Sequence, residues 1–117
     1  MLNRQRALLA FISSVQSSGH RGLTRAQLTK FAFLFREAVG ASSGLTYEFV
    51  PYKYGPFSFA LYRELDGLVA QGLVCETGDS RAVLSISSTG RYQACAEADK
   101  IPRTAWRVVR EVTGQSG

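Results

Sequence analysis

The sequence predicts one small α+β domain, mostly helical and closed by a β-hairpin. Three observations predict it. Apolar residues recur at helical spacing near the start of the chain. A Gly-Pro turn at Gly55-Pro56 opens an amphipathic helix that stops at Gly72, and two short β-type runs flank the turn Thr77-Gly78-Asp79-Ser80-Arg81. At 117 residues with 45% hydrophobic content, the chain supports one core and therefore one domain, residues 1–117.

The first helix is predicted over about Leu2 to Ser17, because Leu8, Phe11, Ile12 and Val15 fall on one stripe. Ser17 to Gly22 breaks it. Thr24 with Gln27 three residues later forms a capping-box pattern and starts a second helix, which turns Leu28, Phe31, Ala32, Phe35 and Val39 toward the core. Phe33 cannot share that face, so this helix is either buried all round, the expected case, or carries Phe33 at an interface. Thr46–Val50 reads as a short extended segment, with Val50 held out of helix by Pro51. The third helix is predicted from Phe57 or Ser58, with Phe57, Leu61, Leu65 and Leu68 inward. Leu73–Glu76 and Ala82–Ile86 read as a hairpin. A fourth helix opens at Ser88 and runs to about Asp99, and Pro102 suits the first turn of a fifth ending near Val112. Helix, helix, strand, helix, strand, strand is the winged-helix order. The core then covers about residues 3–92, the hairpin is the wing, and C-terminal helices at about 88–113 are appended.

The net charge of +5 is unevenly spread. Residues 1–40 carry six basic groups against Glu37 alone, residues 41–80 carry a net −3, and residues 81–117 a net +3. A basic chain favours polyanionic partners, but this excess lies at the two ends. No run approaches the ~18 apolar residues of a membrane span. The start lacks a secretion signal, and Cys75 and Cys95 share no metal-like spacing. Reduced thiols and a cytoplasmic protein without metal, cofactor or membrane partner are expected.

Candidate binding residues fall into two groups. For nucleic acid, Lys53 and Tyr54 alternate charge and ring before the third helix, and Arg81 tips the hairpin. Arg103, Arg107 and Arg110 line one face of the last helix opposite Trp106, Val109 and Val112. Arg4, Arg6, Arg21, Arg25 and Lys30 add to the basic charge. For protein, a wheel at about 100° per residue puts Phe59, Arg63, Asp66, Gly67 and Ala70 on the outer face of the third helix. Base reading needs long donors there, and only Arg63 qualifies. The exposed Phe59 beside small residues suits another protein or a second copy, unless the appended helices cover that face. No catalytic residue can be assigned: the single histidine, His20, sits in a glycine-flanked loop, and no phosphate-binding loop or nucleophile motif occurs.

The stretch from Tyr52 to Ser58, followed by Leu61-Tyr62-Arg63-Glu64-Leu65, resembles two families. One comprises small bacterial and archaeal winged-helix regulators with a Tyr-x-Tyr-Gly-Pro-Phe-Ser turn. The other is the Panacea group of phage-associated and antitoxin proteins, with a Tyr-Gly-Pro turn ahead of a similar helix. The similarity covers roughly residues 5 to 92, and its sharpest part is about a dozen residues. The first resemblance implies DNA binding and transcriptional control. The second implies neutralising a protein toxin or acting as an adaptor. The leading expectation is a non-enzymatic nucleic-acid-binding regulator in bacterial defence or phage-related control, and the alternative is a protein-binding adaptor using the third helix.

Overall fold

A computed structural model describes residues 1–53, 55–78 and 82–114. Among them are five α-helices and two antiparallel hairpins, an α+β arrangement: α1 (Asn3–Ser17), α2 (Arg25–Val39), β1 (Val50–Tyr52), β2 (Gly55–Phe57), α3 (Phe59–Ala70), β3 (Val74–Thr77), β4 (Val83–Ile86), α4 (Ser88–Glu97) and α5 (Arg103–Val112). Among the described residues, no helix is long and apolar enough to cross a membrane.

The centre of the molecule is α1, whose residues Ala7 through Ile12 are all buried. It packs against α2, α3, α4, α5 and β4, so a helix with one strong stripe is covered over most of its surface. The small Ala7 and Ala10 let neighbours approach on the faces that the stripe leaves out. The helix expected to be buried all round was α2. Instead Leu28, Ala32 and Phe35 face the core while Ala26, Lys30, Leu34 and Glu37 are exposed.

The predicted helix boundaries follow from local chemistry. The Gln27 amide donates to Thr24 Oγ1 at 3.2 Å and the Thr24 amide to Gln27 Oε1 at 2.9 Å, completing the capping box. Ser58 caps α3 by accepting from the Leu61 amide at 3.2 Å. At the other end, Gly72 (φ 77°) donates to Val69 O and Leu73 to Leu68 O, both at 3.0 Å, a Schellman ending that needs glycine at that φ.

Two expectations are corrected. Phe57 belongs to β2 and is half-buried, because Ser58 supplies the cap and the helix starts one residue later. The strand expected at Thr46–Val50 lies at Val50–Tyr52 and pairs with Gly55–Phe57 in a sheet of its own. Leu45 and Tyr47 are buried, so the segment ahead of β1 runs under the domain as an anchor and forms no ladder. The second hairpin matches its expectation, with Val74 opposite Ile86 and Thr77 opposite Val83. Its open edge gains one bridge from Leu23, which donates to Leu84 O at 3.1 Å and accepts from Leu84 N at 2.7 Å.

Buried polar groups tie the elements together. The Glu64 carboxylate of α3, 8% exposed, accepts from the Tyr47 hydroxyl at 2.9 Å and pairs with Arg4 of α1. The Arg4 guanidinium lies 4.8 Å from the Tyr47 ring centre. Burial, then the bond to Glu64, pushes the Tyr47 hydroxyl well above the usual tyrosine range, so it stays a donor at any ordinary pH.

Candidate functional site

Between Val50 and Tyr62, Tyr52 and Phe59 turn their rings outward while Phe57 and Tyr62 are half-buried. Pro51 faces Pro56 across the β1–β2 hairpin, flanked by the pairs Val50–Phe57 and Tyr52–Gly55. Gly55 takes a φ of 115°, open to glycine and strained for other residues. Phe57 is the hub: its ring lies 5.2 Å from Tyr52, 4.9 Å from Phe59 and 4.6 Å from Tyr62. These separations are those of favourable aromatic pairs. Tyr52 is 56% and Phe59 63% exposed, so the cluster faces solvent.

Between this hairpin and α2 lies a groove of about 700 Å³, lined by Ala26, Lys30, Phe33 and Leu34 on the helix side and by Tyr52, Pro56, Phe57 and Tyr62 on the other. A smaller hollow of about 400 Å³ continues it past Phe33, Tyr52 and Pro56 to Phe49 and Val50. Phe33 packs edge-on against Phe49 at 5.5 Å, which is how the off-stripe ring of α2 is accommodated. Among the described residues, Lys30 is the one charged residue lining either space.

The outer face of α3 stays open. Phe59, Arg63, Asp66 and Ala70 are all exposed, while α5 packs on α1 and α2, and α4 on α1 and β4. The acidic Asp66 is not left alone. Arg25, from the first turn of α2, donates to Asp66 at 2.7 Å and to the two oxygens of Glu76 at 2.7 and 2.9 Å, with its guanidinium 5.2 Å from the Tyr62 ring centre. The bond to Glu76 is the main cause that raises the Arg25 pKa further above its usual range. The same bond holds the Glu76 carboxyl below its ordinary value.

The basic groups divide in consequence. Arg4 pairs with Glu64, Arg6 with Glu97 at 3.2 Å, and Arg25 with Asp66 and Glu76, so much of the N-terminal positive charge is answered within the fold. Lys53 and Arg63 are exposed near the aromatic cluster. Arg103, Arg107 and Arg110 are exposed along α5, with Arg110 6.0 Å from the Trp106 ring centre. None of these five carries an ion pair among the described residues. Tyr54 and Arg81 lie outside the described residues.

The fold therefore brings Phe59, through its contact with Phe57, next to a groove wall that no local pattern assembles. Leu34, 39% exposed, was missed. Its signal was present: at helical spacing it falls outside the stripe of Leu28, Phe31, Ala32, Phe35 and Val39. No family model matches the chain, and no curated protein matches it.

Proposed function

We propose that this protein is a non-enzymatic, winged-helix-like recognition module whose main partner is another protein. In that assignment α1, α2 and α3 are the helical core and β3–β4 the wing, with the Leu23–Leu84 bridge extending its sheet. The β1–β2 hairpin is then an insertion between α2 and α3, and α4 and α5 are additions.

One observation carries the protein-binding reading. The face that a base-reading helix would present holds Phe59, Ala70 and an Asp66–Arg25 pair, with Arg63 as its one cation without an ion pair among the described residues, next to a four-ring cluster whose Tyr52 and Phe59 are exposed. Aromatic surface with few charges is what protein interfaces enrich, and phosphate contact needs unpaired cations. Of the two families the turn resembles, the antitoxin-like adaptors fit this surface better than the transcriptional regulators. Phe59→Asp tests the reading: partner binding or self-association is lost while the melting curve is unchanged. Retained association in a folded variant overturns it.

Nucleic-acid binding is the second reading, favoured by the exposed arginines of α5. It predicts sequence-independent duplex binding that falls steeply between about 50 and 200 mM salt and is lost in the Arg103→Ala, Arg107→Ala, Arg110→Ala triple variant. Tight, sequence-specific binding abolished by Arg63→Ala would instead restore α3 as a base-reading helix.

A further inference from the structure

We propose that the groove between α2 and the β1–β2 hairpin receives a short segment of a partner protein carrying large apolar side chains beside a carboxylate, which Lys30 pairs with. The proposal rests on the protein-recognition reading above and names its site and ligand chemistry.

The walls define the apolar part. Phe33, Leu34, Tyr52, Pro56, Phe57 and Tyr62 contribute rings and aliphatic carbon from both sides. A groove of about 700 Å³ is of the size that holds several side chains at once. Tyr52 and Leu34 remain partly exposed at 56% and 39%, so burial against a partner has area left to remove from water.

The charge argues for the carboxylate. Lys30 is exposed and carries no ion pair among the described residues. Glu37 and Glu48 are also exposed, but neither lines the groove or the hollow that continues it. An apolar wall with one unanswered ammonium favours an anion on the partner and disfavours a cation.

The hairpin also decides how the segment docks. Residues in an antiparallel pair alternate between hydrogen-bonded and non-hydrogen-bonded positions. Pro51 and Pro56 face each other and neither has an N–H, so theirs is the non-bonded pair, whose backbone groups point to the two outer edges. The middle of each edge thus offers a carbonyl without a donor. A partner cannot add there as a further strand and must bind through its side chains.

Panning a random short-peptide display library on the full-length chain tests the proposal. The expected enriched peptides combine two or more large apolar residues with Asp or Glu. Leu34→Asp loses the enrichment, and Lys30→Glu inverts the acidic preference to a basic one, a shift of about tenfold or more. Both positions are exposed, so both variants keep the parent melting curve. Arg107→Glu, an equal charge change on α5, leaves the preference intact. An acidic preference that is absent, that survives Lys30→Glu, or that shifts equally in Arg107→Glu overturns the proposal. Peptides insensitive to Leu34→Asp but lost in Phe59→Asp overturn the groove and leave protein recognition by α3 standing. No enriched peptides, with duplex DNA retained, overturns both.

Discussion

The two hairpins of this molecule, one with three-residue strands and one with four-residue strands, do opposite work. In β3–β4, Val74, Leu84 and Ile86 are buried, the Gln16 side chain accepts from the Ile86 amide at 2.6 Å, and Leu23 extends the edge. In β1–β2, all three residues of β1 are exposed, the middle pair is Pro-Pro, and the rings gather on the surface. A two-stranded ribbon is marginal by itself. The first kind is stabilised by what it buries. The second is held by its aromatic cluster, and its outward rings are the surface we propose for a partner.

The largest expected effect separates the two hairpins directly. Leu84→Ala, at a fully buried position, costs about 2–5 kcal/mol in urea denaturation. Tyr52→Ala stays within about 1 kcal/mol. Equal losses would erase the distinction between a structural and a presenting hairpin.

Tyr47→Phe probes the buried contact that ties the segment ahead of the presenting hairpin to α3. It removes a buried hydrogen bond to the Glu64 carboxylate and costs about 1.5–3 kcal/mol by thermal or urea unfolding. A negligible change would mean that Arg4 alone satisfies Glu64 and that the hairpin segment is not held there.

Gly90→Ala tests how tightly α4 seals the structural hairpin. A methyl at Gly90 would collide with the Leu73 carbonyl and press on Ile86, because that helix crosses the strand with no room for a side chain. The expected cost is about 1–3 kcal/mol, read from the denaturation midpoint.

Acid titration gives a smaller signal. Hydrogen bonding from Arg25 lowers the Glu76 pKa below its ordinary 4.5. Lys100 and then Arg6 lower that of Glu97 in the same direction. Carboxyls depressed in the folded state stabilise it fully above the ordinary value and lose that contribution as pH falls through the lower, folded value. Stability therefore declines below about pH 4.5, and Glu76→Gln flattens part of that decline in a pH series of melts. A decline unchanged in Glu76→Gln would show that the Arg25 pair does not contribute.

The smallest stability effect belongs to the presenting surface itself. Phe59→Asp changes folding stability by about 0.5 kcal/mol or less, since the ring is mostly exposed and an acidic residue is tolerated at a helix N-terminus. A large destabilisation would show that the cluster of Tyr52, Phe57, Phe59 and Tyr62 is structural and would move this hairpin into the class of the first.

Much of this contrast was legible in the chain. The helices and the second hairpin follow from apolar period, from caps at Thr24 and Ser58, and from Gly72 as a stop. The outer face of α3 was readable at Phe59, Arg63, Asp66 and Ala70 because a helix wheel depends only on spacing, while Gly67, placed on that face by the same wheel, is half-buried beside Gln5 of α1. The Phe57 position was misread because a ring before a capping serine fits either the helix or the strand. The pairing of Arg25 with Asp66 and Glu76 joins residues 41 and 51 positions apart, which no local pattern encodes. The same holds for the groove, whose walls come from α2 and from a hairpin that lies after an intervening loop.

The sequence by itself determined the elements: apolar period, caps and glycine or proline punctuation act within a few residues and need no distant partner. It also determined that the net charge is positive and unevenly placed. Only the tertiary structure decided which helix is central and which arginines are already paired. It also decided that α4 and α5 pack on α1 and that the outer face of α3 is exposed. Burial and ion pairing depend on which surfaces meet, and that is fixed by packing of the whole chain.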